Sequence, residues 1–240
     1  MGDVFDRWAE VYDLLYGDYR DDLGFYLRES KNAGGRVLEV GCGTGRIYVE
    51  LLKHGVDAYG IDVSEAMLNV LRRKCSELGL KPKVYRADMR SFDLGVKFRL
   101  IIVPFRTFLH NLTIGDQLSS LLCFKRHLAE GGRLILNFFC LDPEYISRYG
   151  EEDVERVGEL TCVRSSRFVD EVNQIVETRV VLLRDGEAVW RGCFRIALVY
   201  KREFELLLRL AGFRKWRVYG GFDYQPLTSS RQEMVWIVER

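Results

Sequence analysis

The chain has 240 residues, of which 48% are hydrophobic and 30% are charged. This composition is typical of a folded globular protein and argues against a disordered chain. The 36 basic and 35 acidic residues give a net charge of +1, so the totals lack the basic excess of a nucleic-acid binder and disfavour such a partner without excluding it.

The first 35 residues contain aromatic side chains at helical spacing: Phe5, Trp8, Tyr12 and Tyr16. Tyr12 and Tyr16 are four residues apart and therefore share one face of a predicted helix. Taken by themselves, aromatic residues at this spacing indicate packing more often than a binding site.

Short apolar runs then alternate with segments of helical spacing. The predicted strands are residues 36–40, 58–61, 83–85, 98–103 and 133–139. The predicted helices are residues 47–54, 64–77 and 117–128. This order predicts a parallel sheet with right-handed crossovers, and we expect Gly131 and Gly132 to stop the third helix.

The pattern changes after Asp142-Pro143, where apolar and polar residues alternate between about 158 and 200. Asp185-Gly186 lies between two alternating runs, which is a strong signal for a β-hairpin. We therefore expect two to four antiparallel strands in this region.

The chain then returns to the first pattern, with a predicted helix at residues 203–210 and strands at 214–219 and 234–238. The sequence thus predicts an α/β fold: a Rossmann-like, mostly parallel seven-stranded sheet with an inserted antiparallel β cap. In domain terms, residues 1–142 and 201–240 form one domain, and residues 143–200 form the insertion.

The sharpest local feature is the glycine turn, Glu39-Val40-Gly41-Cys42-Gly43-Thr44-Gly45, which follows a strand and opens a helix. Glycines let the backbone turn tightly and approach a ligand. The dinucleotide fingerprint G-x-G-x-x-G requires a third glycine at the position that Arg46 occupies. This departure argues against a nicotinamide dinucleotide as the ligand.

An acidic residue, Asp62, ends the next predicted strand, 21 residues after Gly41. A carboxylate at this position can accept hydrogen bonds from both hydroxyls of a ribose. Three spaced glycines alone could form a simple strand–helix turn, but the acidic partner at this distance favours a nucleoside-containing ligand.

Together, Glu39–Gly45 and Asp62 resemble the cofactor motifs of the class I S-adenosylmethionine-dependent methyltransferases. The resemblance implies that Gly41, Gly43 and Gly45 lie under the methionine part of S-adenosylmethionine. It also implies that Glu39 helps to hold the amino group of the cofactor and that Asp62 binds the ribose.

Two further segments resemble this family. Ala87-Asp88-Met89 is similar to its adenine segment, which implies that Asp88 accepts from the exocyclic amine and that Met89 packs near the ring. Tyr12-Asp13-Leu14-Leu15-Tyr16 is similar to a helix that closes over the cofactor in small-molecule enzymes, which implies that residues 1–35 form a helical lid containing Tyr12 and Tyr16.

The loop after the fourth strand, residues 104–111 and hereafter the acceptor loop, reads Pro-Phe-Arg-Thr-Phe-Leu-His-Asn. It lacks the D/N-P-P-Y/F motif of nucleic-acid amino methyltransferases and the Pro-Cys motif of cytosine C5 enzymes. It instead resembles the loop of small-molecule N-methyltransferases, including those acting on glycine and on amino sugars. His110 is the candidate general base because imidazole titrates near neutral pH; the alternative is a purely structural histidine.

Five arginines are distributed along the predicted insertion: Arg164, Arg167, Arg179, Arg191 and Arg195. Guanidinium groups suit carboxylates and phosphates, so an acidic small acceptor is one interpretation. The other is a solvated strand face, which we favour for any single arginine.

The six cysteines contain no C-x-x-C pair, so neither a zinc site nor a redox motif is expected. No run reaches the ~18 apolar residues of a membrane span, and residues 1–10 lack the apolar core of a signal peptide. We expect a cytoplasmic protein with no metal and no membrane partner.

These features predict an S-adenosylmethionine-dependent enzyme that methylates nitrogen or oxygen of a small molecule. The first alternative is a methyltransferase acting on RNA or protein. The second is a non-catalytic, methyltransferase-like subunit that binds a partner through the β insertion. The sequence does not specify the acceptor or the oligomeric state.

Overall fold

A computed structural model describes residues 2–240. The strands are β1 (Val37–Val40), β2 (Ala58–Asp62), β3 (Lys83–Arg86), β4 (Phe98–Val103), β5 (Leu128–Phe139), β6 (Glu152–Val157), β7 (Leu160–Asp170), β8 (Ile175–Arg184), β9 (Glu187–Ala197), β10 (Lys215–Tyr219) and β11 (Glu233–Glu239). The α-helices are α1 (Gly2–Asp6), α2 (Tyr12–Tyr16), α3 (Leu23–Lys31), α4 (Tyr48–Lys53), α5 (Glu65–Glu77), α6 (Ile114–His127), α7 (Pro143–Ser147) and α8 (Lys201–Leu210), and 3-10 helices span Arg7–Glu10 and Thr107–His110.

Seven strands form one sheet in the order β10-β11-β5-β4-β1-β2-β3. The five strands β1 to β5 run parallel, while β11 pairs antiparallel with β5 and with β10. The carboxyl ends of β1, β2 and β4 therefore meet at one edge of the sheet, where ligands bind in open α/β folds. The predicted Rossmann-like, mostly parallel seven-stranded sheet is confirmed.

Both faces of this sheet are covered, which explains the near-continuous apolar sequence of β4. Ile101 and Val103 face a core that also contains Phe204 of α8. Leu100 and Ile102 face the opposite core, on the side of α3, α4 and α5. All four β4 side chains are fully buried, because successive residues of a strand point to opposite faces.

The helix boundaries agree with the sequence signals at one helix and depart from them at another. The Ser64 hydroxyl caps α5 by accepting from the Met67 backbone N–H at 3.1 Å, as its residue type favours. The prediction that Gly131 and Gly132 stop the next helix is wrong, since α6 ends at His127 and both glycines lie within β5. The chain is already extended at Leu128, and the glycines accommodate an irregularity in the pairing of β5 with β4.

The remaining four strands form an antiparallel sheet in the order β6-β7-β8-β9. It begins at Glu152, earlier than the alternation predicted, and it contains the predicted hairpin at Asp185-Gly186, both with positive φ (52° and 85°). Its inner face packs on the N-terminal segment, residues 2–19, where the buried Trp8 contacts Trp190 and Phe194. The domain boundaries at residues 142 and 200 stay a prediction.

Within residues 2–240, no helix combines the length and the apolar character that a membrane span requires. The same part of the chain contains no cluster of three or more His, Cys, Asp or Glu side chains arranged to hold a metal ion.

Candidate functional site

A cavity of about 760 Å³ lies at the carboxyl edge of the parallel strands. Its walls are the strand ends, the N-terminal segment and the inner face of the antiparallel sheet. Eight of the ten residues singled out from the sequence line it: Tyr12, Tyr16, Gly41, Gly43, Asp62, Asp88, Met89 and His110. The other two, Glu39 and Gly45, belong to the same glycine turn but do not line the cavity.

The glycine turn has three residues with positive φ: Gly41 at 69°, Gly43 at 50° and Gly45 at 91°. A side chain at Gly41 would collide with Thr107 of the acceptor loop. At Gly43, by contrast, an added Cβ would meet no atom within 4 Å. The turn therefore packs tightly against the acceptor loop and leaves open space where it borders the cavity.

Asp62 holds the turn in place through two backbone hydrogen bonds. Its Oδ2 accepts from the Gly43 N–H and its Oδ1 from the Ser64 N–H, both at 2.9 Å. Burial raises the pKa of Asp62, and these N–H donors oppose the rise. Each carboxylate oxygen keeps a further lone pair, so Asp62 can also accept from the hydroxyls of a ligand.

Glu39 is 3% exposed, and its Oε2 has no hydrogen-bond partner within residues 2–240. Burial raises the pKa of Glu39 well above its ordinary value, an effect that the nearby Arg46 guanidinium opposes. A buried carboxyl oxygen without a partner is costly. A cationic, hydrogen-bond-donating group of a ligand would satisfy it.

Asp88 and Met89 follow β3 and line another part of the cavity. Arg90 donates to both oxygens of Asp88, at 2.9 and 2.5 Å, and lowers the pKa of this carboxyl. Asp88 is therefore an ionised acceptor that Arg90 already orients. The Met89 sulfur lies 3.3 Å from the amide nitrogen of the buried Asn111, which fixes its position on the wall.

The N-terminal segment is fastened over the glycine turn. Asp13, between Tyr12 and Tyr16, accepts from the Thr44 hydroxyl at 2.7 Å and pairs with Lys74 at 2.6 Å. Sequence reasoning gave Asp13 no role, although it lies inside the tyrosine motif of α2. The two tyrosine rings are 5.0 Å apart, and burial raises the pKa of both phenols.

Arg46 connects three parts of the site. Its guanidinium forms a buried ion pair with Asp22, with N–O distances of 2.5 and 2.7 Å. It also lies over the rings of Tyr19 and Phe105, at 5.0 and 5.1 Å from their centroids. The residue that argued against a dinucleotide therefore links the glycine turn to the N-terminal segment and to the acceptor loop.

The acceptor loop opens with two non-glycine residues in left-handed conformation, Phe105 (φ 54°) and Arg106 (φ 65°). This conformation costs roughly 1–2 kcal/mol for each residue that has a Cβ, so other contacts must hold it. The Phe105 N–H donates to Oδ1 of Asn137 at 2.9 Å, and Arg106 pairs with Glu233 at 2.9 Å. Sequence reasoning missed Asn137, although it is a single polar residue in the apolar run of β5.

His110 lies at the end of this loop and borders the cavity. Its Nδ1 is 3.0 Å from the carbonyl oxygen of Arg195. Because a carbonyl can only accept, Nδ1 carries the proton and Nε2 keeps its lone pair. Phe5 packs edge-on against the ring at 5.0 Å, and burial lowers the pKa of His110 below its ordinary value. The imidazole is thus neutral near pH 7.

The arginines of the antiparallel sheet mostly avoid the cavity. Arg167, Arg179 and Arg195 converge on the buried Glu177 at 3.0–3.3 Å, and none of them lines the cavity. Of the five arginines, only Arg164 borders it, and this residue pairs with Glu155 at 2.5 Å. The solvated-face interpretation therefore describes most of these arginines better than an acid-binding cap.

The chain is similar to known proteins over most of its length. A family model described as a methyltransferase domain matches residues 37–132. The dTDP-3-amino-3,4,6-trideoxy-α-D-glucopyranose N,N-dimethyltransferase of Streptomyces venezuelae is 27% identical over 223 residues, covering 89% of this chain and 92% of that protein. The cypemycin N-terminal methyltransferase of a Streptomyces species is 25% identical over 244 residues, covering 99% of this chain and 98% of that protein.

Solved structures agree with this similarity. An S-adenosylmethionine-dependent methyltransferase from Clostridium acetobutylicum superposes with a TM-score of 0.79 at 18% identity, covering 98% of both chains, and shows a shared fold. Streptomyces venezuelae DesVI superposes with a TM-score of 0.72 at 26% identity, covering 95% of this chain and 97% of its own.

Proposed function

This chain is a class I S-adenosylmethionine-dependent methyltransferase, and we propose that it methylates the nitrogen of a small-molecule amine. The observation that carries the proposal is the cavity wall at His110, where a neutral imidazole has Nδ1 tied to a backbone carbonyl and Nε2 free to take a proton. The cavity volume falls within the roughly 300–1,000 Å³ that is usual for small-ligand pockets.

The residues around the glycine turn fit S-adenosylmethionine. The partnerless Oε2 of Glu39 suits the ammonium of its methionine part, and the open space at Gly43 suits a ligand lying close to the backbone. Asp62 would accept from the ribose hydroxyls, and the ionised Asp88 from the exocyclic amine of adenine. We propose these roles because each residue offers the polarity that its part of the cofactor needs.

The cofactor, when bound, supplies a methyl group attached to a positively charged sulfur, and this methyl group is transferred by in-line displacement. The chain contributes alignment and the exclusion of water, both of which favour such a displacement. Tyr12 and Tyr16 cover the cavity from the N-terminal segment. His110 would accept through Nε2 the proton that the amine nitrogen loses.

Nitrogen is favoured over oxygen by the relatives. One is named for N,N-dimethylation of a dTDP-linked 3-amino sugar and the other for methylation at an N-terminus. The first name supports an amino-sugar acceptor, whereas the second keeps a peptide amine as the alternative. The cytoplasmic location expected from the sequence stays a prediction.

The test uses methyl-labelled S-adenosylmethionine, the purified protein and a panel of acceptors. The panel contains free and nucleoside-diphosphate-linked amino sugars, their hydroxyl analogues, short peptides with free amino termini, and total RNA. Label on amino sugars, absent from the matched hydroxyl analogues, supports the proposal. Label only on hydroxyl analogues would move the acceptor atom to oxygen. Label only on peptides or RNA would overturn the small-molecule assignment.

A further inference from the structure

We propose that Asn137 is the positioning residue for the acceptor loop: its side-chain amide holds Phe105 and Arg106 in the backbone conformation that brings His110 to the cavity. The inference rests on the proposed function, since it assigns to Asn137 a part in methyl transfer. Asn137 itself is not a lining residue of the cavity, so its effect is exerted through the loop.

The amide of Asn137 makes three hydrogen bonds although the residue is only 3% exposed. Its Oδ1 accepts from the Tyr26 hydroxyl at 2.7 Å and from the Phe105 backbone N–H at 2.9 Å. Its Nδ2 donates to Glu233 Oε1 at 2.7 Å. The partners fix the orientation of the amide, because a peptide N–H needs an acceptor and a carboxylate needs a donor.

The position of Asn137 in the sheet explains why it can reach the loop. It lies in β5, which pairs with β4, and the acceptor loop starts where β4 ends. Its neighbours in the strand, Leu136 and Phe138, are fully buried. A polar residue in such a strand is tolerated when its hydrogen bonds are made, and a satisfied buried network then specifies one geometry.

Both left-handed residues of the loop are held by this network. Phe105 is held directly through its N–H, and Arg106 is held through Glu233, which receives a hydrogen bond from Asn137 and pairs with the Arg106 guanidinium. Residues with a Cβ disfavour this region, so the turn needs such anchors. They act together with Thr107, whose backbone N–H and hydroxyl both donate to the Pro104 carbonyl, at 3.1 and 2.8 Å.

The conformation has consequences for the rest of the loop. After the two left-handed residues the chain turns into the 3-10 helix Thr107–His110, with Thr107 packed where Gly41 has no side chain. The same turn brings the Phe105 ring to 5.3 Å from both Tyr16 and Tyr19. If Phe105 relaxed, the His110 imidazole and this aromatic wall would both move.

The first arm of the test needs no methyl acceptor. In the unmodified protein, hydrogen exchange of the Phe105 amide is expected to be as slow as that of amides in β5. In Asn137→Ala the same amide is expected to exchange about tenfold faster, because it loses its hydrogen-bond acceptor. Tyr26→Phe is the matched control: it removes a hydrogen bond to the same oxygen and leaves the Phe105 bond in place.

The second arm measures kinetics with whichever amine the acceptor panel identifies. Asn137→Ala is expected to lower kcat for methyl transfer roughly 10- to 100-fold, as misplaced catalytic groups do, with unchanged affinity for S-adenosylhomocysteine. Tyr26→Phe is expected to lower the melting temperature while kcat stays within about threefold of the parent value.

Fast exchange of the Phe105 amide in the unmodified protein would overturn the proposal, even where Asn137→Ala fails to fold. Equal effects of Asn137→Ala and Tyr26→Phe on exchange or kcat would also overturn it, because the network would then be merely structural. A panel in which no amine accepts the methyl group overturns the proposed function instead, and the exchange arm still decides whether Asn137 holds the loop.

Discussion

The carboxylate of Asp13 accepts a hydrogen bond from the Thr44 hydroxyl at 2.7 Å, which joins the N-terminal segment to the centre of the glycine turn. Its second oxygen pairs with Lys74 of α5, which also donates to the Thr44 carbonyl at 3.0 Å. Thr44 is 1% exposed, whereas the side chains of Asp13 and Lys74 are 39% and 31% exposed, so the contact is shielded from water on the Thr44 side only. The N-terminal segment and the glycine turn beneath it are therefore held together.

Asp13→Ala is expected to weaken retention of S-adenosylhomocysteine by about tenfold, because a hydrogen bond to a charged group contributes roughly 1.5–3 kcal/mol. The effect should appear mainly in the dissociation rate, measured by stopped-flow displacement. Glu10→Ala, an exposed acid on the same segment, is the control. Equal dissociation rates for the two variants would show that the segment does not depend on this contact.

S-adenosylhomocysteine at about 100 times its Kd should stabilise the fold by roughly 2.7 kcal/mol, because it binds only the native state. The measurement is a thermal melt at several ligand concentrations, with NAD as the control. Arg46 occupies the place of the third dinucleotide glycine and is locked to Asp22, so no shift is expected with NAD. A shift with NAD alone would contradict the cofactor assignment.

Asp62→Ala is expected to weaken S-adenosylhomocysteine binding by more than tenfold and to lower the stability of the free protein by about 1–3 kcal/mol. Both effects follow from the loss of one carboxylate. It would accept from the ribose hydroxyls of the ligand, and it already accepts from the Gly43 and Ser64 N–H groups in the free protein. Calorimetry and denaturant melts measure them separately. Asp57→Ala, near the opposite end of β2, should leave affinity unchanged; a loss of affinity there would point to a general effect of charge.

Binding of S-adenosylhomocysteine is expected to release a proton from Glu39. Burial raises the pKa of this carboxyl in the free protein, and a neighbouring ammonium would lower it again. Affinity should therefore strengthen as pH rises from the ordinary carboxyl range towards the raised value. Calorimetry in two buffers of different ionisation enthalpy detects the proton. Glu39→Gln should remove both the proton release and the pH dependence; a pH dependence that survives would assign it elsewhere.

His110→Ala is expected to lower the methyl-transfer rate by roughly 10²–10⁴ with little change in cofactor affinity. Because burial lowers the pKa of His110, Nε2 is a free base at neutral pH. Protonation of the imidazole should therefore add an acid limb to the pH–rate profile of the parent at a pH below the ordinary histidine range, and the variant should lack that limb. His54→Ala, at an exposed histidine, is the control. An unaltered rate in His110→Ala would leave His110 a structural role.

Much of the fold could be predicted because the local signals agreed with the global arrangement. The apolar run Phe98–Val103 is a strand with the predicted bounds, since burial on both faces permits no alternation. Ser64 caps the N-terminus of α5 through its side-chain hydroxyl. The end of α6 at His127 was predicted to within one residue, but its stop signal was wrongly assigned. Gly131 and Gly132 serve strand pairing in β5, and sequence cannot tell a helix stop from an irregularity in a sheet.

The candidate site likewise contains residues that a sequence pattern indicated and residues that no pattern could indicate. The glycine turn and Asp62 are close in sequence to the strand ends that carry them, so their pattern indicated a site directly. Asn137, Glu233 and Asp22 are polar groups whose roles depend on partners far away in the chain. No spacing rule connects Asn137 with Phe105, 32 residues earlier.

The sequence by itself determined the α/β class, the glycine turn and its acidic partner, because each depends on local periodicity and on the backbone freedom of glycine. The tertiary structure alone decided which side chains support that turn. It brought Asp13 onto Thr44, tied His110 to the Arg195 carbonyl, and gathered three arginines around Glu177 away from the cavity. Apart from the pair Arg179–Glu177, whose residues lie two apart on β8, these contacts join residues from separate strands, loops and helices. Their distances follow from how the sheets pack and not from the order of the residues.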